Sequence, residues 1–465
     1  MKKLLLLLIP LVLLSGCVSN QSDIDHYTNG QNYLNSLEYT KALSEFTLGL
    51  NNDKNDLKYY LAIADIYSKK GRLNDSISIL EEGNSATNSK EIKIALGDLH
   101  RLNGEFEESL KYFDELLSTE GEEYNVKARM GRVKTLIMLQ KYDDLKLEKD
   151  YIDKISLDSE YLIMMSVLSI DEPEEAVNLL LKSTNIENAN LELTKELRMA
   201  YAGFEKSQNI HNLSQIAYVL LNYNWYEIAH FPVDKLLQEN EFFETGYIYK
   251  GLINIHVNRL SEAESSLIKS LEINPSNTDA KIFLTQVKFL LNADDQALEI
   301  ITEIINDPES LLNLQQYLAI QEILYKQDQN DLIIELYDRF SDSVIVPDSK
   351  NLIYPEILIE VGKYNQAELF LHSINQDESG LSKSENAKFK ALLATAYYNN
   401  NKKQDALKLI NEAENTDNKN STVYYLKGLI LKSEGQIEQA NLAFERAKEL
   451  DLTGKITEQI ENHVK

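Results

Sequence analysis

Residues 421–451, STVYYLKGLILKSEGQIEQANLAFERAKELD, decide the fold. Apolar residues recur at helical spacing on both sides of Ser433-Glu434-Gly435, as in Ala440, Phe444 and Ala447, and no alternating strand pattern competes. The spacing predicts two helices that break at Gly435, where a left-handed backbone is cheap only for glycine. Gly428 in the first helix and Ala440 in the second carry little or no side chain, so the backbones can approach closely. Phe444 is bulky enough to fill the space beside them.

The same arrangement returns along the chain in steps close to 34 residues. One step back come Lys390, Ala394, Tyr397, Ala406, Ile410 and Ala413. Near the middle, Tyr247, Gly251, Ala263, Leu267 and Pro275 keep the offsets, and Asn274-Pro275-Ser276-Asn277-Thr278 supplies stop and N-cap chemistry. At the start, Gly30, Tyr33, Ala42 and Phe46 are followed by Ala64, Tyr67, Gly71 and Leu80, then by Gly97, Gly104 and Phe113. This series resembles the tetratricopeptide repeat, which implies an all-α, TPR-type α-solenoid of antiparallel helix pairs. Units are expected to begin near Asp23, Leu57, Lys90, Val126, Leu157, Glu244, Thr278, Asn313, Asp348, Ala387 and Ser421. Residues 23–189 then read as a first repeat block, 190–243 as an irregular helical joint, 244–454 as a second block and 455–465 as a terminal capping helix.

The N-terminus carries a separate signal. Met1-Lys2-Lys3 is basic, Leu4 through Leu14 is apolar apart from Pro10, and Leu14-Ser15-Gly16-Cys17 holds the only cysteine. The run is shorter than the roughly 20 residues of a spanning helix and has the form of a secretory signal. It resembles a bacterial lipoprotein signal peptide over residues 1–16. That resemblance implies a diacylglyceryl group with palmitate-class acyl chains on Cys17, and residues 17–22 as a short tether. Two acyl chains hold a protein firmly to a bilayer. The expected location is the extracytoplasmic face of a cell membrane, or the outer membrane in a cell with two. Val18 is not the aspartate that often retains lipoproteins at an inner membrane. With its thiol committed to lipid, the fold is expected to have no disulfide.

Composition narrows the function. The net charge is −27, and loss of Lys2 and Lys3 with the signal deepens it to −29. Such a surface repels nucleic acid and anionic headgroups; solubility is its plain reading and a basic partner its sharper one. His26, His100, His211, His230, His256, His372 and His463 are scattered, with no paired-histidine motif, so no metal site is expected. Asp53-Lys54-Asn55-Asp56 lacks the glycine and closing glutamate of a calcium loop. No phosphate-binding glycine loop or nucleophile elbow is present, and neither catalysis nor a cofactor is expected.

The resemblance implies a concave groove lined by the first helix of each unit, taking a peptide or helix of a partner protein. Position counting places Tyr27, Gln31, Leu61, Asp65, Ile94 and Asp98 there in the first block, and Ile248, Leu252, Ile255, Tyr425 and Leu429 in the second. For any one of these, a solvated face is the plainer account. The lysine and asparagine clamp of the family's chaperone adaptors is replaced by acidic or apolar residues. Tyr218 to Phe243 holds Trp225, the only tryptophan, among five other aromatics besides Tyr218, and reads first as a packed joint and second as a binding site. The expectation is a membrane-anchored, extracytoplasmic scaffold that binds an envelope or secreted protein, for assembly of an envelope complex. The alternatives are a lipid-anchored receptor and a polysaccharide-modifying enzyme whose site sits in the middle segment.

Overall fold

The computed structural model describes residues 25–122, 125–152, 155, 158–202, 209–340, 352–374 and 380–464. Cys17, the signal peptide and the tether lie outside them. The described residues form 26 α-helices and no strand. Five antiparallel pairs come first: α1/α2 (His26–Asn35, Tyr39–Asn52), α3/α4 (Leu57–Lys69, Leu73–Thr87), α5/α6 (Lys90–Leu102, Phe106–Leu117), α7/α8 (Val126–Met138, Tyr142–Glu148) and α9/α10 (Ser159–Leu168, Pro173–Ser183). A single helix, α11 (Leu191–Tyr201), precedes the pair α12/α13 (Asn209–Asn222, Tyr226–Glu239). Six further pairs follow: α14/α15 (Glu244–His256, Leu260–Ile273), α16/α17 (Thr278–Leu290, Asp294–Asn306), α18/α19 (Leu314–Lys326, Asn330–Phe340), α20/α21 (Ile353–Glu360, Tyr364–Ser373), α22/α23 (Lys383–Asn399, Lys403–Thr416) and α24/α25 (Ser421–Ser433, Ile437–Leu450). The last helix is α26 (Lys455–Val464).

Every pair except α9/α10 turns on a residue with positive φ, Leu37 in α1/α2 and Gln140 in α7/α8 among them. Gly71, Gly104, Gly362 and Gly435 hold that position at φ 70–77°, and Asn224, Asn258, Asn292, Asp328 and Asn401 hold it elsewhere. Asparagine and aspartate tolerate this conformation better than other side chains. The following N–H then reaches back over the helix end, as Gln436 does to the Leu431 carbonyl at 2.9 Å. This is the Schellman closure, which satisfies carbonyls the helix leaves open. The first helix of a pair usually has a side-chain cap: Asp56, Ser89, Asn125, Asn277 and Asn420 each accept a backbone N–H of the first turn.

Glycine on the first helix faces the bulky residue sixteen positions later on its partner. A Cβ on Gly30, Gly97 or Gly428 would lie 2.3–2.6 Å from the ring of Phe46, Phe113 or Phe444, all buried. Phe113 also presses on Gly131 of the next pair, so one ring closes its own unit and seals the following interface. Stacking in this way lets helix pairs too small to fold alone share a continuous core.

The middle of the chain differs from the expected irregular joint. Ala217, Ala229 and Val233 on α12/α13 keep the repeat offsets, and Asn224 turns the pair 34 residues before Asn258. Only α11 breaks the alternation. Among the described residues, one buried core takes in side chains from Phe106 to Val257, so the two expected blocks share it. Pro232 lies inside α13, buried, at the cost of one backbone hydrogen bond.

The solenoid also touches itself at long range. Lys419 and Arg446 donate to the carbonyls of Asn35 and Ser36 at 2.6 and 3.0 Å, joining the last pair to the first. At mid-length the Arg259 guanidinium lies over the Phe106 ring, 4.4 Å from its centroid. These contacts curl the array tightly enough to decide which parts of its inner face stay open.

Candidate functional site

The inner face of the first helices was the expected groove, and its residues have different surroundings. Tyr27 is half-buried, with its ring 5.7 Å from Phe46 and 5.8 Å from Tyr59. Gln31 is half-buried, and Leu61 packs on the first core. Asp65 is exposed and pairs with Lys69 at 2.6 Å. Ile94 packs on Phe113 and Leu116. Asp98 pairs with Arg101 at 3.0 Å, and the buried Arg101 also pairs with the buried Glu227 at the start of α13. Beside them, burial and the Arg101 charge lower the pKa of Lys134, against the opposing pull of Asp98 and Glu160. Helix α13 packs on α7 and α9. The chain itself thus covers much of the inner face at α5, α7 and α9. In α14, Ile248 is buried, Leu252 half-buried, and Ile255 packs against the core around Ala263 and Leu267.

Tyr425 and Leu429 are placed differently. They line a cavity of about 490 Å³ on the inner face of the second half, with walls from α20, α22 and α24 and a lid from α26. Leu392, Tyr398, Tyr425 and Leu429 supply apolar and aromatic wall, while Asp328, Glu356, Glu360 and Glu458 supply carboxylates. Among the described residues, Lys455 is the one cation lining it.

Each carboxylate near the floor has partners. Glu356 is buried, accepts from the Tyr325 hydroxyl at 2.8 Å and pairs with Lys388 at 2.6 Å. Glu360, one helical turn on, accepts from Asn330 at 3.1 Å and from Gln459 of α26 at 2.7 Å. Burial raises the Glu360 carboxyl above its ordinary range and the neighbouring Glu356 charge adds to the rise, with Lys455 opposing. A cation brought to this floor would therefore meet a carboxyl whose ionisation it favours.

Position counting on α24 identified Tyr425 and Leu429 but passed over their equivalents. Thr395 sits at the same offset as Leu429, one unit earlier, and also lines the cavity. The Glu356–Glu360 pair could have been found from its spacing of four, which puts both carboxylates on one side of a helix. The part played by α26 has no counterpart in the repeat and gave no periodic signal.

A second cavity, of about 410 Å³, lies between α8 and α13 and is lined by Tyr142, Leu145, Phe231, Asp234 and Lys235. Trp225 packs on the central core and Phe231 is buried against the Tyr142 ring, 5.5 Å away, whereas Tyr218 and Phe242 are exposed. Most of this aromatic segment is structural. Burial raises the pKa of Asp234, yet hydrogen bonding and charge from His230, with Lys250 and the Tyr142 hydroxyl, bring it down to about 2. A carboxylate held ionised in this way does not serve as a proton donor near neutrality. Among the described residues no group of histidine, cysteine or carboxylate side chains could hold a metal ion, and no helix is long and apolar enough to cross a membrane.

The tetratricopeptide repeat family matches residues 57–89 and 421–453, which are α3/α4 and α24/α25. The chain carries tetratricopeptide repeats, and its helices build a solenoid of that type, a scaffold fold typical of protein–protein interaction. No curated protein matches the sequence. Among solved structures, it is similar to a tetratricopeptide repeat protein from Parabacteroides merdae ATCC 43184, with 14% identity over 54% of this chain and 97% of that one, at a TM-score of 0.38. Yeast Tom70 is similar at 15% identity over 94% of this chain and 96% of that one, with a TM-score of 0.32. The Naa15/Naa10 structure bound to HypK-THB is similar at 13% identity over 94% and 80%, with a TM-score of 0.37.

Proposed function

We propose that this chain is a lipid-anchored, extracytoplasmic scaffold that holds a segment of a partner protein against the inner face of its second half, in the assembly of an envelope complex. The observation that carries the reading is the cavity under Tyr425 and Leu429, where aromatic walls and an acidic floor lie on the surface such arrays present to partners. The anchor rests on Leu14-Ser15-Gly16-Cys17 after the basic and apolar start. Aromatic and apolar walls supply contact area and the carboxylates select a basic or amide-rich segment.

Two measurements test the proposal together. Membrane fractionation of a Cys17→Ala chain should show it released from the membrane fraction while its helical circular dichroism is unchanged; continued membrane retention would remove the lipid anchor. A photo-crosslinking amino acid at Leu429 should trap a partner in cells, whereas the same group at Leu369, which is 72% exposed on α21, should not. Equal trapping from both positions would remove the inner face as the binding surface.

A further inference from the structure

Helix α26 does more than end the solenoid. It turns inward after Asp451, whose carboxylate accepts from the backbone N–H groups of Thr453, Gly454 and Thr457 at 2.8–3.1 Å. Gly454 makes the bend at φ 83°. The helix then lies along the cavity with Ile456 and Ile460, one turn apart, buried against the last core. Its polar side reaches across the cavity to α18 and its turn and to α20. Lys455 places its ammonium 3.4 Å from the centroid of the Tyr325 ring, donates to the Tyr325 carbonyl at 2.5 Å and pairs with Asp328 at 2.8 Å. Gln459 donates to Glu360 at 2.7 Å.

These contacts are of the kind by which a groove grips a foreign helix: two apolar anchors at i and i+4, a lysine held over an aromatic ring beside a carboxylate, and an amide on a second carboxylate. Neither side is designed only to be solvated. The open space left beside α26, about 490 Å³, admits side chains but no second helix of 10–12 Å diameter. A partner helix reaching Tyr425 and Leu429 must therefore take the place of α26.

We propose that α26 is a resident occupant of this cavity, and that the partner is a short amphipathic helix bearing a lysine or arginine next to two apolar residues four apart, which displaces it. The proposal rests on the reading that the inner face of the second half binds a protein segment, and it names that segment's chemistry. When α26 leaves, Lys455 and Glu458 leave with it, while Asp328 and Glu360 lose their partners on α26 and remain on the wall, so an incoming cationic helix finds the carboxylates that α26 vacates. Tethering gives α26 an effective concentration in the millimolar range, so only a partner that binds well or arrives at high local concentration enters. The anchored scaffold is closed until such a partner is present.

The test uses the full chain and a fluorescein-labelled peptide of residues 451–465, the sequence of α26 itself. Ile460→Asp and Lys455→Glu chains, in which the resident helix is loosened at its apolar and cationic contacts respectively, should bind the peptide at least tenfold more tightly than the wild-type chain. A peptide carrying Lys455→Glu should bind none of the three. Equal binding of the parent peptide to wild type and both variants overturns the proposal, as does equal binding of the two peptides to either variant. Hydrogen exchange on the unaltered chain guards against misfolded variants: amides of α26 should exchange well ahead of those in α24, and α26 protection equal to that of α24 overturns displacement. None of these readings involves the cellular partner. A failure here alongside selective crosslinking from Leu429 removes the role of α26 and leaves the inner face as the binding surface.

Discussion

Gly428→Ala separates two opposed effects whose sizes the structure permits to be compared. In a helix interior, alanine is favoured over glycine by about 0.8–1.0 kcal/mol, so propensity alone makes the substitution stabilising. The added methyl would lie 2.4 Å from Cε1, 2.5 Å from Cδ1 and 3.0 Å from Cζ of Phe444. Phe444 is only 3% exposed and packs in the core of the last pairs, so its ring cannot swing into solvent. Overpacking of this kind costs about 1–3 kcal/mol, and the net expectation is a loss of about 1 kcal/mol. Elsewhere the chain carries the compensated version: Ala394 and Ile410, both buried, occupy the same two offsets in α22/α23. Phe444→Ile should therefore rescue Gly428→Ala, with a coupling of more than about 0.5 kcal/mol in a double-mutant cycle. Urea denaturation followed by circular dichroism gives the four stabilities, and hydrogen exchange shows whether the loss is confined to α24 and its neighbours, as a nearest-neighbour array requires. A Gly428→Ala chain more stable than wild type, or additive effects in the cycle, would refute the reasoning that a glycine–aromatic contact sets the helix spacing.

Two further substitutions probe the polar interior. Glu148 is 1% exposed and pairs with Arg129 at 3.0 Å and Arg132 at 2.7 Å, so Glu148→Ala takes a buried carboxylate away from two arginines and should cost about 3–5 kcal/mol in chemical denaturation; a loss below about 1 kcal/mol would mean that water reaches the pair. Asp234 has a folded pKa of about 2 against an ordinary 3.8, so its contribution to stability is complete above about pH 4 and is lost as pH falls through about 2. At roughly 1.4 kcal/mol per pKa unit this amounts to about 2 kcal/mol, and Asp234→Asn should remove that part of the fall in stability between pH 4 and pH 2.

What could be read from the sequence was local. The pairing of a small residue with a bulky one sixteen positions on is decided within one helix hairpin, so Gly428 and Phe444 announced their contact without knowledge of the rest. The turn at Gly435 was equally plain, and φ there is positive. The pair α12/α13 was obscured because Asn224 takes that turn in place of glycine and Pro232 sits inside its second helix. Asparagine does the same conformational work at Asn258 and Asn292, and the interval of 34 residues between successive members marks α12/α13 as part of the series.

The expected groove was harder to read, for a different physical reason. Helical periodicity tells which side of a helix is buried, and says nothing of what lies against it. Counting along the first helices assumes an open inner face, yet the accumulated curvature brings α13 against α7 and α9, and α26 against α18 and α20. The contacts that fix this curvature link residues far apart, such as Lys419 to Asn35 and Arg101 to Glu227, and each is a single polar side chain with no repeat of its own. Small rotations between successive pairs add up, so a change at one interface moves the walls of a cavity several pairs away. Tyr425 and Leu429 line a cavity, while Ile94 and Asp98 at comparable offsets meet the chain's own helices. Which groove is open is therefore a property of the whole array, and in the second half it depends on whether α26 is in place.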